Sequence, residues 1–479
     1  MVAAIIYFSP FITIMYQYKG LEDTIAAIAT PAGQGGIGIV RISGHRAVDV
    51  ADAVLRLNGN KTLAQCPSHT VHHGWAIDPK SAISIDEVLV TLMRAPKSYT
   101  AEDVVEISCH GGMVVLTAVL KTVLSAGARP AGPGEFTKRA FLRGRIDLAQ
   151  AEAVIDIIQA KTEMFLRQSQ GQLKGELSIR LNAIREDLLK IYTMVEALIN
   201  FPEDAIEAQG RRQILDRLDG QQKEISKLLE GRESGRILKE GIRIVLCGRP
   251  NVGKSSLLNA LLKEQRAIVT GIAGTTRDVL EESAQIKGIP ISLVDTAGIL
   301  QPRDLIEEEA VKRSRLYIRS ADLVLLVLDH NSPLQEQDML LLEQLKTARV
   351  LVVVNKMDLE SRIDTVVPEK IFGRQHVIKV SALQAESVRR LEAGIVDLIC
   401  REKNLDTHGV LISNMRHIEA LEEARKNLEG ACRLMDQNVS LEFVSEDIKA
   451  AVNRLDAITG RNIDEDLLDR IFSEFCIGK

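Results

Sequence analysis

No two of the chain's six cysteines form a C-x-x-C pair: Cys66, Cys109, Cys247, Cys400, Cys432 and Cys476 are scattered along 479 residues. This spacing argues against a disulfide framework and a structural zinc motif, and it fits a reduced, cytosolic protein. A large excess of positive charge is also missing. The net charge of −5 speaks against a bulk nucleic-acid binder and leaves room only for a local basic patch. Nor is there a clean apolar run of the ~20 residues that a membrane span needs. Residues 1–18 are mostly apolar, but Pro10 interrupts them, and no Lys or Arg precedes Lys19 to give the basic start of a secretory signal. Residues 1–22 therefore read as an N-terminal extension, with Met15 as an alternative start and a weak membrane anchor as the minor reading. Internal repeats and low-complexity tracts are absent. What remains is 46% hydrophobic and 26% charged, an ordinary soluble composition with room for about three domains.

Between Gly248 and Ser255 the chain reads Gly-Arg-Pro-Asn-Val-Gly-Lys-Ser, a complete G-x-x-x-x-G-K-S phosphate loop. The glycines let backbone N–H groups close around phosphates, Lys254 reaches the β- and γ-phosphates, and the Ser255 hydroxyl ligates Mg²⁺. The context suits that chemistry. Ile242–Cys247 reads as a buried strand, with Cys247 a small core residue, and Ser256–Leu262 opens a helix whose N-terminus favours anions.

Asn355-Lys-Met-Asp358 follows the strand-like run Val350–Val354. A carboxylate there accepts from both N1–H and the exocyclic amine of guanine, whereas adenine would leave it partly unpaired. Ser381-Ala-Leu383, after the strand Val377–Val380, resembles the loop that touches the guanine oxygen. The expected ligand is GTP. Asp295-Thr-Ala-Gly298 follows Ile291–Val294 and reads as the second metal motif. Asp295 would hold Mg²⁺ through water, and Gly298 would report the γ-phosphate. Thr270–Asp278 occupies the first-switch position, with Thr276 as the second Mg²⁺ hydroxyl. The water-orienting glutamine of Ras-type enzymes is absent, because Ile299 follows Gly298. Gln301, Glu307 and Arg277 are the candidates to replace it, and the chemistry alone leaves that choice open.

The remaining chain frames this site. Residues 23–140 read as mixed α/β, with strands at Asp23–Ala29, Ile37–Ile42, Val88–Leu92 and Val104–Ser108. Helical spacing covers His45–Leu57, and a helix over Met113–Ser125 ends near Gly127. Gly33-Gln-Gly-Gly-Ile-Gly38 matches the dinucleotide fingerprint, but its third glycine opens a strand rather than a helix, so the match is rejected. Asp147–Asn200 contains no proline and reads as one long helical stretch. Phe201–Asp204 interrupts it, and helical pattern returns over Arg211–Lys239, Ala385–Ile399 and Met415–Phe475. The simplest architecture is a GTPase domain inserted into a helical domain. Lys138, Arg139, Arg143 and Arg145 form a basic run, read as a solvated helix face for three of the four with contact to nucleic-acid phosphate as the alternative. The end Cys476-Ile-Gly-Lys479 is not a prenylation box, because glycine is not aliphatic and lysine is a poor last residue.

Four segments carry a family resemblance: Asp466–Lys479, Phe141–Glu152, Ala131–Phe136 and Gly274–Asp278. With them the chain, from about Asp23 to Lys479, resembles the bacterial tRNA-modification GTPases of the MnmE (TrmE) family, in the TrmE-Era-EngA-like superfamily. The resemblance implies a multidomain α/β plus α fold. Its parts would be an extension over 1–22, an N-terminal mixed α/β tetrahydrofolate-binding and dimerisation domain over 23–142, and a discontinuous helical domain over 143–240 and 403–479. A Ras-like P-loop GTPase domain over 241–402 would be inserted between the two helical parts. It further implies a cytoplasmic homodimer that forms a heterotetramer with MnmG (FAD, NADH). Together they would install aminomethyl or carboxymethylaminomethyl groups at C5 of the wobble uridine of tRNA, with no membrane partner. The one-carbon donor would be 5,10-methylenetetrahydrofolate, for which 5-formyltetrahydrofolate is a stable analogue.

Carried over residue by residue, Asn251, Thr270, Ile272 and Thr275 match the K⁺ contacts, and Ser255 and Thr276 the Mg²⁺ ligands. The GTP contacts become Asn251, Val252, Gly253, Lys254, Ser255 and Ser256, with Thr270, Gly271, Ile272, Ala273, Gly274, Thr275 and Thr276. Asp295, Thr296, Ala297 and Gly298 follow, then Asn355, Lys356, Asp358, Ser381, Ala382 and Leu383. Glu307 falls on the catalytic glutamate, deciding the contest with Gln301 and Arg277. Arg41, Glu106 and Lys479 match folate contacts; Arg145 stands where the family usually has lysine, keeping the charge with a different reach. Leu300 replaces an arginine of some members, so no role passes to it. Cys476 is a candidate for uridine or one-carbon chemistry, with packing as its alternative. A ribosome-assembly GTPase switch is the competing reading of function. It is disfavoured by a single phosphate loop and the lack of a G-x-x-G RNA loop in the C-terminal part. A folate enzyme with a regulatory G domain is a third reading.

Overall fold

The structure is a computed structural model that describes residues 22–200, 208–264, 281–295, 316–403, 409–437 and 439–479. The chain divides into two compact units. One comprises residues up to Ile155 with Gln172–Thr193 and Ser445–Lys479; the other comprises Asp156–Gly171 and Met194–Val444.

The first unit is built on strands β1 (Ile25–Ile28), β2 (Gly35–Ser43), β3 (Leu55–Leu57), β4 (Thr70–Ile77), β5 (Ser84–Met93), β6 (Val104–Gly111) and β7 (Arg129–Pro130). They form one sheet in the order β3-β4-β5-β6-β2-β1-β7, antiparallel except for the β1–β7 pair. Alternation sends Val88, Val90 and Leu92 of β5 and Val105 and Ile107 of β6 into a core shared with the helices Ala47–Val54 and Met113–Ser125. Gly38, the last glycine of the rejected dinucleotide pattern, lies within β2. A Cβ there would come 2.6 Å from the Leu116 side chain, so that glycine serves close helix–sheet packing.

Two expectations change. Helical spacing over His45–Leu57 gives way after Val54, because Leu55 and Leu57 are buried with Arg56 exposed between them. This period of two lets β3 pair with Gly74–Ala76 of β4, and sheet pairing overrides helix continuation. The long stretch Asp147–Asn200 is three helices, Leu148–Gln159, Glu163–Leu173 and Glu176–Asn200. The Thr162 hydroxyl accepts from Phe165 N–H at 3.3 Å and restarts the second helix, and Gly175, at φ +89°, lies between the second and third.

The second unit contains β8 (Ile242–Cys247), β9 (Glu281–Ile286), β10 (Ile289–Asp295), β11 (Leu323–Asp329), β12 (Val350–Asn355) and β13 (Val377–Lys379). Its sheet order is β13-β12-β11-β8-β10-β9, parallel apart from the β9–β10 hairpin. The strands β4, β9 and β11 are not among those expected from sequence. Both faces are covered. Leu325 and Val327 of β11 join a core with Leu257 and Leu261 of the helix Lys254–Glu264 and Leu391 and Ile395 of the helix Ala385–Lys403. Val324, Leu326 and Leu328 pack on the other side with Leu342 and Leu345. Such double coverage is why β11 and β12 are continuous apolar runs. In the same unit the helices Ala208–Glu230 and Met415–Asp436 lie side by side, joined by Gln222 donating to Glu429 at 3.3 Å.

Candidate functional site

Strand order determines where a ligand can sit. β8 lies between β10 and β11, so the chain crosses from one side of β8 to the other, and the carboxyl end of β8 is the crevice of an open α/β sheet. The phosphate loop leaves β8 at that end and enters the helix Lys254–Glu264. Gly253 has φ +93°, and a Cβ on it would come 2.3 Å from Asn355 Nδ2, so the sequence requires glycine there for both conformation and room. Lys254, 5% exposed, donates from Nζ to the carbonyls of Gly248 (2.7 Å) and Arg249 (2.8 Å) and is held within the loop. Ser255 and Ser256 lie exposed in the first helical turn, where the dipole of a helix start favours an anion. Arg249 is paired with the buried Asp338 at 3.1 Å.

Asn355, at the end of β12 and 2% exposed, joins two of the expected motifs. Its Nδ2 donates to Val252 O (3.0 Å), and its Oδ1 accepts from Ala382 N–H (3.1 Å). Lys356 donates from Nζ to Asn251 O and to Asp329 Oδ2, each at 2.7 Å. Asp358 is exposed, and the Ser381 hydroxyl donates to its Oδ1 at 2.6 Å. That hydrogen bond, followed by one from its own backbone, holds the carboxyl below the usual carboxylate range and keeps it an acceptor. Leu383 is exposed beside it. Asn251, Val252, Gly253, Lys254, Asn355, Lys356, Asp358, Ser381 and Ala382 are thus joined by one set of hydrogen bonds and adjacent backbone. Asp295 ends β10 in register with Leu246, at the same end of the sheet. Thr270, Gly271, Ile272, Ala273, Gly274, Thr275, Thr276, Thr296, Ala297, Gly298 and Glu307, with the alternatives Gln301 and Arg277, lie outside the described residues.

A second constellation occupies the first unit. Arg41 of β2 and Glu106 of β6 are register partners, and Arg41 Nε meets Glu106 Oε1 at 2.8 Å. Arg41 also donates from its other arm to Gly478 O at 3.0 Å. The chain end is fastened by Gly134 N–H to Cys476 O (3.4 Å), Phe136 N–H to Lys479 O (3.2 Å) and a bridge between Pro133 and Ile477. Burial first, and Arg41 second, lower the Lys479 ammonium pKa, while Glu106 and Cys476 push it back up. Cys476 is exposed. Arg145 lies over the Tyr99 ring at 4.8 Å and Arg41 over the same ring at 5.4 Å. Arg41, Glu106 and Lys479 therefore come together, and Tyr99 links Arg41 to Arg145. Sequence reasoning missed Tyr99, which carries no motif and is recognised only through its two cationic neighbours.

The basic run needs correction. Arg139 is 1% exposed, not solvated, and is held by Glu102 (3.2 Å), Asp23 (2.5 Å) and Glu135 (3.0 Å). Lys138 pairs with Asp469 and Arg143 with Glu102. Burial of an arginine needs carboxylates brought in from distant segments, which the local run does not disclose.

A phosphate loop at the switch point of a parallel sheet, tied to an Asn-Lys-x-Asp segment with an ionised aspartate, defines a P-loop guanine-nucleotide-binding protein. Comparison with known proteins narrows this. The family model described as "MnmE helical domain" matches residues 148–476, and that of the "GTP-binding protein TrmE N-terminus" matches residues 24–145. The chain is 43% identical over 459 residues to the tRNA modification GTPase MnmE of Alkaliphilus oremlandii, covering 96% of this chain and 100% of that protein. It is 45% identical to the protein of the same name from Geobacillus thermodenitrificans (95% and 99% covered) and 43% identical to that from Bacillus subtilis (95% and 100%). The chain belongs to the MnmE (TrmE) family of tRNA modification GTPases.

Proposed function

We propose that this GTPase acts in the modification of the tRNA wobble uridine, requires K⁺ for hydrolysis, and works with the FAD- and NADH-dependent partner MnmG to install (carboxymethyl)aminomethyl groups at C5. The domains would be those expected from sequence: 23–142 for folate binding and dimerisation, 143–240 with 403–479 for the helical domain, and 241–402 for the inserted Ras-like GTPase domain. The observation that carries the reading is the meeting of Arg41, Glu106 and Lys479, from far apart in the sequence, beside Tyr99 and Arg145. Three cations around one carboxylate and an aromatic ring suit an anionic ligand with a flat heteroaromatic part, as a tetrahydrofolate is. A one-carbon unit would come from that ligand, and Cys476, exposed on the segment that carries Lys479, would serve this chemistry rather than GTP hydrolysis.

At the nucleotide site, Asp358 would select guanine and Lys254 would neutralise the phosphates. The hard oxygens of Ser255 and Asp295, with Thr276, suit Mg²⁺. Asn251, with Thr270, Ile272 and Thr275, would hold K⁺, whose charge serves where an arginine finger serves elsewhere. Glu307 would orient the attacking water. Among the described residues no helix is long and apolar enough to cross a membrane, and a cytoplasmic homodimer fits. Val71 and Trp75 of β4 and Leu89 of β5 expose 60%, 41% and 49% of their surface on one face of the first sheet, an apolar patch suited to pairing.

The test is mass analysis of wobble nucleosides from a deletion strain with and without this chain. Restoration of the modified uridine is expected. Unchanged wobble uridines would overturn the reading and return the ribosome-assembly switch. In steady state, K⁺ should accelerate GTP hydrolysis and Na⁺ should not.

A further inference from the structure

Asn251 and Lys356 are non-glycine residues in the left-handed region, at φ +64° and +67°, a conformation that costs free energy unless the surroundings hold it. The two strained residues are joined to each other, since Lys356 Nζ donates to Asn251 O. The ammonium is itself held by a residue that no sequence motif singles out. Asp329 ends β11 and is the register partner of Asn355, which places its carboxylate beside Lys356. Its Oδ2 accepts from Lys356 Nζ at 2.7 Å, while its Oδ1 accepts from Asn331 N–H at 2.9 Å, so both oxygens have fixed partners. Asp329 is largely covered, and the pair forms a charge-assisted bridge between the guanine-recognition segment and the phosphate loop.

We propose that Asp329 is a positioning residue for nucleotide binding: through Lys356 it fixes the left-handed backbone of Asn251 and so sets the phosphate loop in its binding conformation. The inference rests on the reading of this site as the GTP site. It adds that affinity depends on a carboxylate that need not touch the nucleotide. Loss of the carboxylate would leave Lys356 free to swing away, and Asn251 would relax toward the right-handed region at the expense of the loop's cradle.

The experiment measures dissociation of a fluorescent N-methylanthraniloyl-GDP from the full-length protein by stopped flow, with KM and kcat for GTP determined in parallel. Asp329→Asn retains an acceptor for Asn331 N–H but turns an amide toward the ammonium. It should speed GDP release about tenfold and raise KM more than it lowers kcat. Lys356→Met should do the same, and the double variant should release GDP no faster than Lys356→Met alone, as expected if one residue acts through the other. Asp329→Glu should recover part of the affinity. Unchanged release in Asp329→Asn, or a lowered Tm with normal release, would assign Asp329 to packing alone and overturn the proposal. Additive effects in the double variant would overturn the route through Lys356. Failure of the unaltered protein to bind GDP at all would instead remove the nucleotide-site reading.

Discussion

At the scale of single residues, the chain end depends on Gly478. Its φ is +94°, and a Cβ would come 2.3 Å from Ile28 O, while its own carbonyl accepts from Arg41. No other residue fits that backbone without moving the tail off β1. Gly478→Ala should cost about 1–3 kcal/mol of tail docking. In the proposed function it should weaken binding of 5-formyltetrahydrofolate by about 5- to 150-fold in a calorimetric titration and leave K⁺-stimulated GTP hydrolysis near normal, since the proposed nucleotide site lies in the other unit. Asp358 gives the complementary test. Its carboxylate is exposed and kept ionised by Ser381. Asp358→Asn presents an amide to one of guanine's two donors and should weaken GDP sharply, by about two orders of magnitude or more. An unchanged GDP dissociation constant would show that the base sits elsewhere.

At the scale of elements, the helix Glu135–Leu142 is fixed by charge as much as by apolar packing. Arg139 points inward from it to Glu102, ahead of β6, and to Asp23, ahead of β1, with Glu135 one turn back on the same helix. Removing one member of a buried ion network is far more costly than the network's net worth, because the partners remain buried and unpaired. Arg139→Met should lower stability by about 3–5 kcal/mol in urea denaturation. The same cluster sets an acid limit. Burial pushes the Glu135 carboxyl up, but the Arg129 hydrogen bond, the Gly132 N–H and Arg139 outweigh this and bring it down to about 2. The folded value lies below the unfolded one of about 4.3. Its contribution is therefore fully present above that value and is lost as pH falls through it toward 2. Acid denaturation followed by near-UV circular dichroism should show the first unit loosening across this window, and Glu135→Gln should flatten that part of the curve.

At the scale of the whole molecule, the two compact units each carry one of the two candidate sites. Units with separate cores are expected to melt with limited coupling. Scanning calorimetry should show two transitions. GDP at one hundred times its dissociation constant should add about 2.7 kcal/mol to the unit that holds the phosphate loop and leave the other unmoved. An equal rise of both transitions would mean that the units unfold as one.

The sequence alone determined what depends on neighbours along the chain. Gly248–Ser255, the strand before it and the helix after it were legible because a phosphate loop is contiguous, and its glycine conformations and helix start are local requirements. The helix Met113–Ser125 was legible for the same reason, with its end as expected. Asn355–Asp358 and Ser381–Leu383 were legible as motifs, but that Asn355 ties both to the phosphate loop was not. Arg41, Glu106, Arg145 and Lys479 were named by resemblance, since no spacing joins residues so far apart. Only the tertiary structure decided that Leu55–Leu57 is a strand, that Arg139 is buried, that Tyr99 lies under two guanidinium groups and that Asp329 holds Lys356. Each of these is decided by a partner distant in sequence, brought near when sheet pairing and apolar burial close the long loops between them. A side chain's local pattern carries no information about the charge or ring that it will meet there.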